Sequence, residues 1–382
     1  MPIRHTSISI QREKWFINDS PTYKDREFRG KPIEGLLLNS RMVNAMFDDE
    51  NPHTKHLWNY PDTNEWNPDR NTAEFIKMLP VYKNHGLLAF TVNLQGGAPS
   101  GYYRLEPFRD YMSAIGMEVT DEELWLGLPS PESQPWNSSG FTPEGSLKPA
   151  YLQRLQRILD TADELEMVVI LGLFYFGQDE RLANEASGKN AVTNACTWIL
   201  ENGYTNVLIE INNECTVPRY EHEILQPHRV HELIKLAKRV SASGSNLLSG
   251  TSYGGGKIPE DSVLSVSDFV LLHGNGVVNP ESITDMVNET RSLPHLKPMP
   301  ILFNEDDHFG FENDSNNFSK TIASYAGWGY FDPGEGAGGA SAFGDYKEGY
   351  QLVPTNWGIN TDRKNHILDS SGKSHQVEVA YV

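Results

Sequence analysis

The sequence predicts an α/β fold, a (β/α)8 TIM barrel with a small N-terminal β-hairpin and long βα loops. Three observations carry the prediction. Eight apolar runs of five to eight residues recur along the chain, bounded by Gly, Pro and Asn. Amphipathic helical patterns fall between several of them. The 382 residues hold one barrel of about 250 residues with generous loops.

The first element differs from the rest. "ISIQREKWFIND" (8–19) alternates in polarity and runs into a turn-rich "NDSP", which predicts a hairpin within 1–30. The apolar runs follow: "IEGLLLN" (33–39), "GLLAFTVN" (86–93), "MVVILGLF" (167–174), "NVLIEI" (206–211), "NLLSG" (246–250), "DFVLLH" (268–273), "MPILFN" (299–304) and "GWGYFD" (327–332). Near-continuous apolar runs are the mark of parallel strands covered on both faces. Between them, 148–166 lines up Tyr151, Leu155, Ile158, Leu159, Ala162 and Leu165 on one helical face, with Pro149 in the first turn. The pattern repeats at 226–241 and 316–326, and 361–369 closes the last unit. Strands alternating with helices mean βαβ units, and eight of them suggest a closed barrel, with a doubly wound open sheet as the rival. No composition shift or internal repeat divides the chain, so 1–382 is expected to form a single catalytic domain.

Composition narrows the function classes. Lys+Arg of 32 against Asp+Glu of 51 gives a net charge of −19, which argues against nucleic acid and anionic membranes as partners. Two cysteines, Cys196 and Cys215, make no disulfide framework. No apolar window reaches membrane-spanning length. "MPIRHTSISI" lacks an apolar signal core, so the expectation is a soluble chain, intracellular or exported with its signal removed. The segment 95–146 is long and rich in Pro, Gly, Ser and aromatics: Tyr102, Tyr103, Phe108, Tyr111, Trp125, Trp136 and Phe141. A loop of that length in a compact domain is usually functional. Its rings either stack on sugars over a barrel mouth or form the loop's own satellite core.

The chemistry gathers at two strand ends. "NVLIEINNEC" carries the fourth strand into Asn212, Asn213 and Glu214, and "MPILFNEDDH" ends the seventh on Asn304 and Glu305. The C-terminal ends of barrel strands form the active face. Two carboxylates facing each other there, roughly 5 Å apart, suit retaining glycoside hydrolysis. One attacks the anomeric carbon while the other protonates the leaving oxygen and later activates water. Either glutamate alone reads equally well as a helix cap or an ion-pair partner.

The paired "INNE" and "FNE" motifs resemble those of the clan-A retaining glycoside hydrolases, the cellulase-like (β/α)8 superfamily with mannanase-like and β-galactosidase-like members. The resemblance spans about residues 30–370 and rests on these two short motifs. It implies hydrolysis of β-glycosidic bonds in an oligo- or polysaccharide, with no cofactor. It makes Glu214 the acid/base, Glu305 the nucleophile and Asn213 the contact to the sugar's 2-hydroxyl. Arg41, ending "GLLLNSR", matches the arginine that clan members keep near the nucleophile, or else makes a structural salt bridge. His273 matches a substrate-binding histidine after strand six. The tyrosine that often stands two residues on is replaced by Asn275, so Tyr253 in the loop after strand five is the candidate stand-in. Trp328 takes the sugar-platform position of strand eight, or Phe343 if "GASAFGDY" is that strand. Asn93, Gln178 and Trp357 are further candidate contacts, each balanced against a loop-structuring role.

Other readings compete. Glu305, Asp306, Asp307 and His308 form a possible metal cluster of a barrel hydrolase with metal-activated water, although no metal is the expectation. A carbohydrate-binding barrel without catalysis is a third reading. "GTSYGGGK" fails the phosphate-loop spacing, and Gly334, Gly336 and Gly339 make a lone G-x-G-x-x-G with no clear helix behind it. His228 and His231 lack zinc-site company, and Cys215 lacks an adjacent base.

Overall fold

The computed structural model describes residues 4–97, 136–333 and 349–365, apart from 243, 295, 362 and 363, together with positions 113, 116 and 118. Eight strands run around a ring: β1 (Asn39–Arg41), β2 (Ala89–Asn93), β3 (Val168–Phe174), β4 (Val207–Asn212), β5 (Leu248–Gly250), β6 (Val270–His273), β7 (Ile301–Glu305) and β8 (Gly329–Tyr330). One sheet has the order β5-β4-β3-β2-β1-β8, and β6 pairs with β7. Parallel bridges Leu302–Gly327 and Asp306–Tyr330 join β7 to β8. At the remaining seam the Asp268 N–H donates to the Ser249 carbonyl at 3.1 Å, and the Asp268 carboxylate accepts from the Ser249 N–H at 2.9 Å. The order returns on itself, so the fold is the (β/α)8 barrel and not the open doubly wound sheet.

Helices α1 (Pro68–Asn84), α2 (Pro149–Glu164), α3 (Glu185–Glu201), α4 (His231–Arg239), α5 (Asp261–Leu264), α6 (Pro280–Ser292) and α7 (Asn317–Ala323) occupy the connections in turn. The last expected helix, 361–369, lies mostly outside the described residues. Strand residues alternate between two cores. Val207, Ile209 and Ile211 face outward with Leu155, Ile158, Ile199 and Leu233 of the helices. Ala89, Val168, Ile170, Leu208, Leu271 and Leu302 fill the interior. That double burial explains why the strands read as unbroken apolar runs.

The hairpin forms as expected, with Ile8–Gln11 antiparallel to Lys14–Ile17. It seals the barrel floor. Trp15 belongs to the interior cluster, is 1% exposed and meets the Phe269 ring at 5.4 Å. Strand β1 starts later than the run 33–39 suggests. Gly35 adopts φ +83, and a Cβ there would lie 2.6 Å from Lys14 Cγ, so the chain turns beneath the hairpin before joining the sheet. We expect Trp15→Ala to cost about 3–5 kcal/mol of stability, read as a lower urea midpoint at unchanged m-value.

Of the long segment 95–146, most lies outside the described residues. Its described end packs inward. Trp136 joins Phe47, Trp58, Tyr60, Trp66 and Val353 in a satellite cluster, and Phe141 meets Phe174 at 5.7 Å. For these two rings the packing role is the one observed. Strand β8 is fixed by the register Gly329–Asn39 and Tyr330–Ser40. The alternative "GASAFGDY", including Phe343, falls outside the described residues.

Candidate active site

Alternation along the strands decides which side chains enter the barrel mouth. In β4, Leu208 points inward, so Glu210, two residues on, does as well; it is fully buried. The chain then turns sharply: Glu214 has φ +49, a left-handed conformation that non-glycine residues adopt rarely and mostly where the surroundings enforce it. Ser252 provides that enforcement, its Oγ accepting from the Glu214 N–H at 2.9 Å while donating to Glu210 Oε1 at 2.6 Å. Across the barrel, Arg41 ends β1, His273 ends β6 and Glu305 ends β7. A register shift between Leu272 and His273 sets His273 opposite Glu305 in the β6–β7 ladder, a local re-aiming of the kind bulges produce.

These ends converge. Arg41 Nε lies 2.6 Å from Glu305 Oε2, and its Nη1 lies 3.1 Å from Glu210 Oε2. Its Nη2 donates to Asn213 Oδ1. His273 Nδ1 is 3.0 Å from Glu214 Oε1 and 3.5 Å from Glu305 Oε2. Asn275 Nδ2 donates to Glu305 Oε1 at 2.6 Å. One acceptor atom from each of Glu214, His273 and Glu305 lies within 4.8 Å of the others. The two carboxylates are therefore near neighbours, both reaching Nδ1 of the same imidazole.

Burial and charge set the protonation. Burial pushes the Glu305 carboxyl above its ordinary range, Arg41 and then His273 pull it back, and the net direction is upward. Burial works against the His273 imidazolium, but Glu305 and Glu214 outweigh it and raise its pKa above 6.5. Glu210 is also fully buried, yet Arg41, His273 and the Ser252 hydroxyl hold its pKa below 4.5. Arg41 and His273 thus stand among three carboxyl groups, Glu210, Glu214 and Glu305.

Arg41, Asn213, Glu214, His273 and Glu305 are brought together, and three other expected residues are not. Trp328 is 1% exposed; its Nε1 donates to Asp306 Oδ2 at 2.7 Å and its ring packs on Phe318 and Phe311. It precedes β8 on the outward side, so it is a wedge between barrel and helices and not a platform at the mouth. Tyr253 is 2% exposed in the outer core, and Asn275, not Tyr253, reaches the Glu305 carboxylate. Asn93 is 1% exposed and points into the barrel over Gly172, where a Cβ would lie 2.2 Å from its Oδ1. It lines the interior and not the surface a substrate meets. Gln178 and Trp357 structure loops, Gln178 by bonding Ser138 and Trp136 backbone and Trp357 by donating to Asn71 Oδ1. Sequence reading missed Glu210, Ser252 and Asn275. Glu210 had a signal, a lone charge inside an otherwise apolar strand.

The run Glu305–His308 is split between two places. Glu305 faces Arg41, whereas Asp306, Asp307 and His308 form a separate group. Asp306 accepts from Trp328, Asn317 and His308. His308 Nδ1 lies 2.9 Å from Asp306 and 3.0 Å from Asp307, and these two carboxylates push it up to about 10. An imidazolium clamped by two carboxylates already uses the electron pairs that a metal needs. The four-residue metal cluster is not assembled.

No family model and no curated protein matches the chain. Solved structures do. An endo-1,4-β-mannanase from Eisenia fetida aligns over 97% of this chain and 96% of its own, with a TM-score of 0.51 and 10% identity. The fold shared with it is the (β/α)8 barrel. A GH5-4 broad specificity endoglucanase from Clostridium longisporum aligns over 88% of this chain and 96% of its own, with a TM-score of 0.50 and 9% identity. This chain spans 62% and 55% of the length of two glycoside hydrolases from Bacteroides vulgatus that it also resembles, each with a TM-score of 0.48. Identities of this size speak for a shared barrel and leave the chemistry to the site. No helix among the described residues is long and apolar enough to cross a membrane.

Proposed function

We propose that the protein is a glycoside hydrolase that cleaves β-glycosidic bonds with retention of configuration. One observation carries the reading: one carboxylate oxygen of Glu214 and one of Glu305 come within 4.8 Å of each other, and both residues contact the same His273 Nδ1. Retaining enzymes hold their carboxyl groups about 5–5.5 Å apart, whereas inverting ones need about 6.5–9.5 Å to seat a water. Glu305, gripped by Arg41 and Asn275, attacks the anomeric carbon as the carboxylate. A bond forms from its oxygen to that carbon while the bond to the leaving oxygen breaks. Glu214, in its acid form, gives its proton to the leaving oxygen. In the second step Glu214 takes a proton from water, whose oxygen displaces Glu305. Arg41 fixes the Asn213 amide through its Oδ1, which turns Nδ2 to donate to the sugar's 2-hydroxyl.

The pH dependence follows from Glu305. Attack needs the carboxylate, and burial holds its pKa above 4.5. Activity is therefore lost as pH falls, and the acid limb of kcat/KM, which reports the free enzyme, has its midpoint above 4.5. A midpoint below 4.5 contradicts the assignment. The reaction class is tested by proton NMR of the first sugar released from a β-glycoside: the β-anomer is expected before mutarotation, and an initial α-anomer overturns retention.

A further inference from the structure

A third carboxylate, Glu210, is tied to both of those at the mouth. It is fully buried and stands in β4 between Ile209 and Ile211. Its register partners on the adjacent strands are glycines, Gly172 of β3 and Gly250 of β5, so neither partner crowds it with a side chain. Three groups converge on its two oxygens. Arg41 Nη1 lies 3.1 Å from Oε2, while the Ser252 hydroxyl and Asn304 Nδ2 donate to Oε1 at 2.6 and 3.2 Å. Each of the three leads on to a glutamate of the site. The Arg41 guanidinium also grips Glu305, with Nε 2.6 Å from Oε2. Asn304 is the residue before Glu305 in β7. Ser252 Oγ accepts from the N–H of Glu214 at 2.9 Å, the residue that turns the chain at φ +49.

Stability alone gives little reason for this residue. Replacing a buried ion pair by apolar side chains of similar volume is often neutral or stabilising, and an apolar residue at 210 would simply continue the strand. What Glu210 supplies is a common anchor. Burial raises its pKa, but Arg41, His273 and Ser252 outweigh burial and hold it below 4.5, so it keeps its charge where Glu305 titrates. A planar guanidinium held by two carboxylates has its orientation fixed; held by one, it is free to turn. We propose that Glu210 is a positioning residue, which sets the place of Glu305 through Arg41 and Asn304 and the place of Glu214 through Ser252. Closed to solvent, it acts only through those three side chains. This rests on the glycosidase reading above and adds the group that keeps its two carboxylates in register.

The test is Glu210→Gln, which keeps the volume and removes the charge. We expect kcat to fall by roughly 10²-fold, the cost of a displacement of about 1 Å between reacting groups, with KM within about threefold of wild type. The pH profile gives a reading that a purely structural role does not move. Glu305 faces Arg41, His273, Glu214 and Tyr175, and Glu210 faces Arg41, His273 and Tyr220. Without the Glu210 charge, Arg41 acts on Glu305 alone and the repulsion between the two carboxylates is gone. Both changes favour the Glu305 carboxylate, so the acid limb of kcat/KM moves to lower pH by roughly one unit. Glu210→Asp keeps the charge and shortens the reach, so it lowers kcat and leaves the acid limb in place. A folded Glu210→Gln with kcat close to wild type, or with an unmoved acid limb, overturns the role. If Glu210→Gln does not fold, Ser252→Ala tests the arm to Glu214. Its kcat/KM is expected to fall roughly tenfold further for a substrate whose leaving group needs protonation than for an activated aryl glycoside, and an equal effect on both overturns the role. A wild type that hydrolyses no β-glycoside removes the glycosidase reading itself. That outcome is distinct from an active wild type beside an unchanged Glu210→Gln.

Discussion

Glu305→Ala is expected to lower hydrolysis by roughly four to six orders of magnitude, because under the proposed mechanism it removes the nucleophile and with it the two-step route. Sodium azide then restores turnover of a β-glycoside bearing an activated leaving group, and the product is the α-glycosyl azide. The stereochemistry follows from position. Azide in the space left by the carboxylate attacks from the face that Glu305 occupies, opposite the departing oxygen. The substitution also leaves Arg41 and His273 with one buried partner fewer. Glu305→Gln, which keeps the volume and loses the charge, serves as the control for folding. Rescue that gives the β-azide, or a variant that keeps activity within tenfold of wild type, contradicts the role.

Glu214→Ala has the second largest effect, and its size depends on the leaving group. General acid–base catalysis contributes about 10²–10⁴-fold, so a substrate whose leaving group needs protonation loses that much in kcat. A nitrophenyl substrate, which departs without help, keeps its glycosylation rate and stalls at the glycosyl-enzyme. Azide attacks that intermediate from the face Glu214 faced and yields the β-glycosyl azide, the opposite anomer to the first variant. The two products together assign the two glutamates independently of rates. Identical azide anomers from both variants contradict the assignment.

Much of this was legible in the sequence because two periodicities reinforced each other. The run "MVVILGLF" is apolar throughout, and "NVLIEI" is apolar but for Asn206 and Glu210, since both faces are buried, one against Ile158 and Leu233, the other in the barrel interior. Strand ends are the active face of a barrel, so the expectation that Asn213, Glu214 and Glu305 stand together at the ends of β4 and β7 came from their positions and from the paired Asn-Glu motifs. Helices were harder to read. In α3, "EASGKNAVTNACTWILE", small residues dilute the apolar stripe, yet Ala191, Val192, Ala195, Cys196 and Ile199 are all buried. In α1, Pro80 interrupts the pattern even though the Asn67 cap and Pro68 mark its start.

The site residues that escaped sequence reading share one feature: their partners are distant in the chain. Glu210 is explained only by Arg41, 169 positions away, and Ser252 only by its bond to Glu210 and to the Glu214 backbone. Trp328 misled for the converse reason. An aromatic beside the last strand suggests a platform, but alternation turns it outward, where Asp306 and Phe318 hold it. A one-residue step in a strand exchanges the mouth for the core, and sequence alone fixes strand edges no better than that.

The central claim is that Glu305 becomes covalently attached to the sugar. Intact mass after incubation with a panel of activated 2-deoxy-2-fluoro-β-glycosides, followed by peptide mapping, addresses it directly. The account predicts one glycosyl adduct, on Glu305, from at least one sugar of the panel. Hydrolysis of the parent glycosides with no adduct from any member, or an adduct that maps to Glu214 or to Asp306, contradicts it.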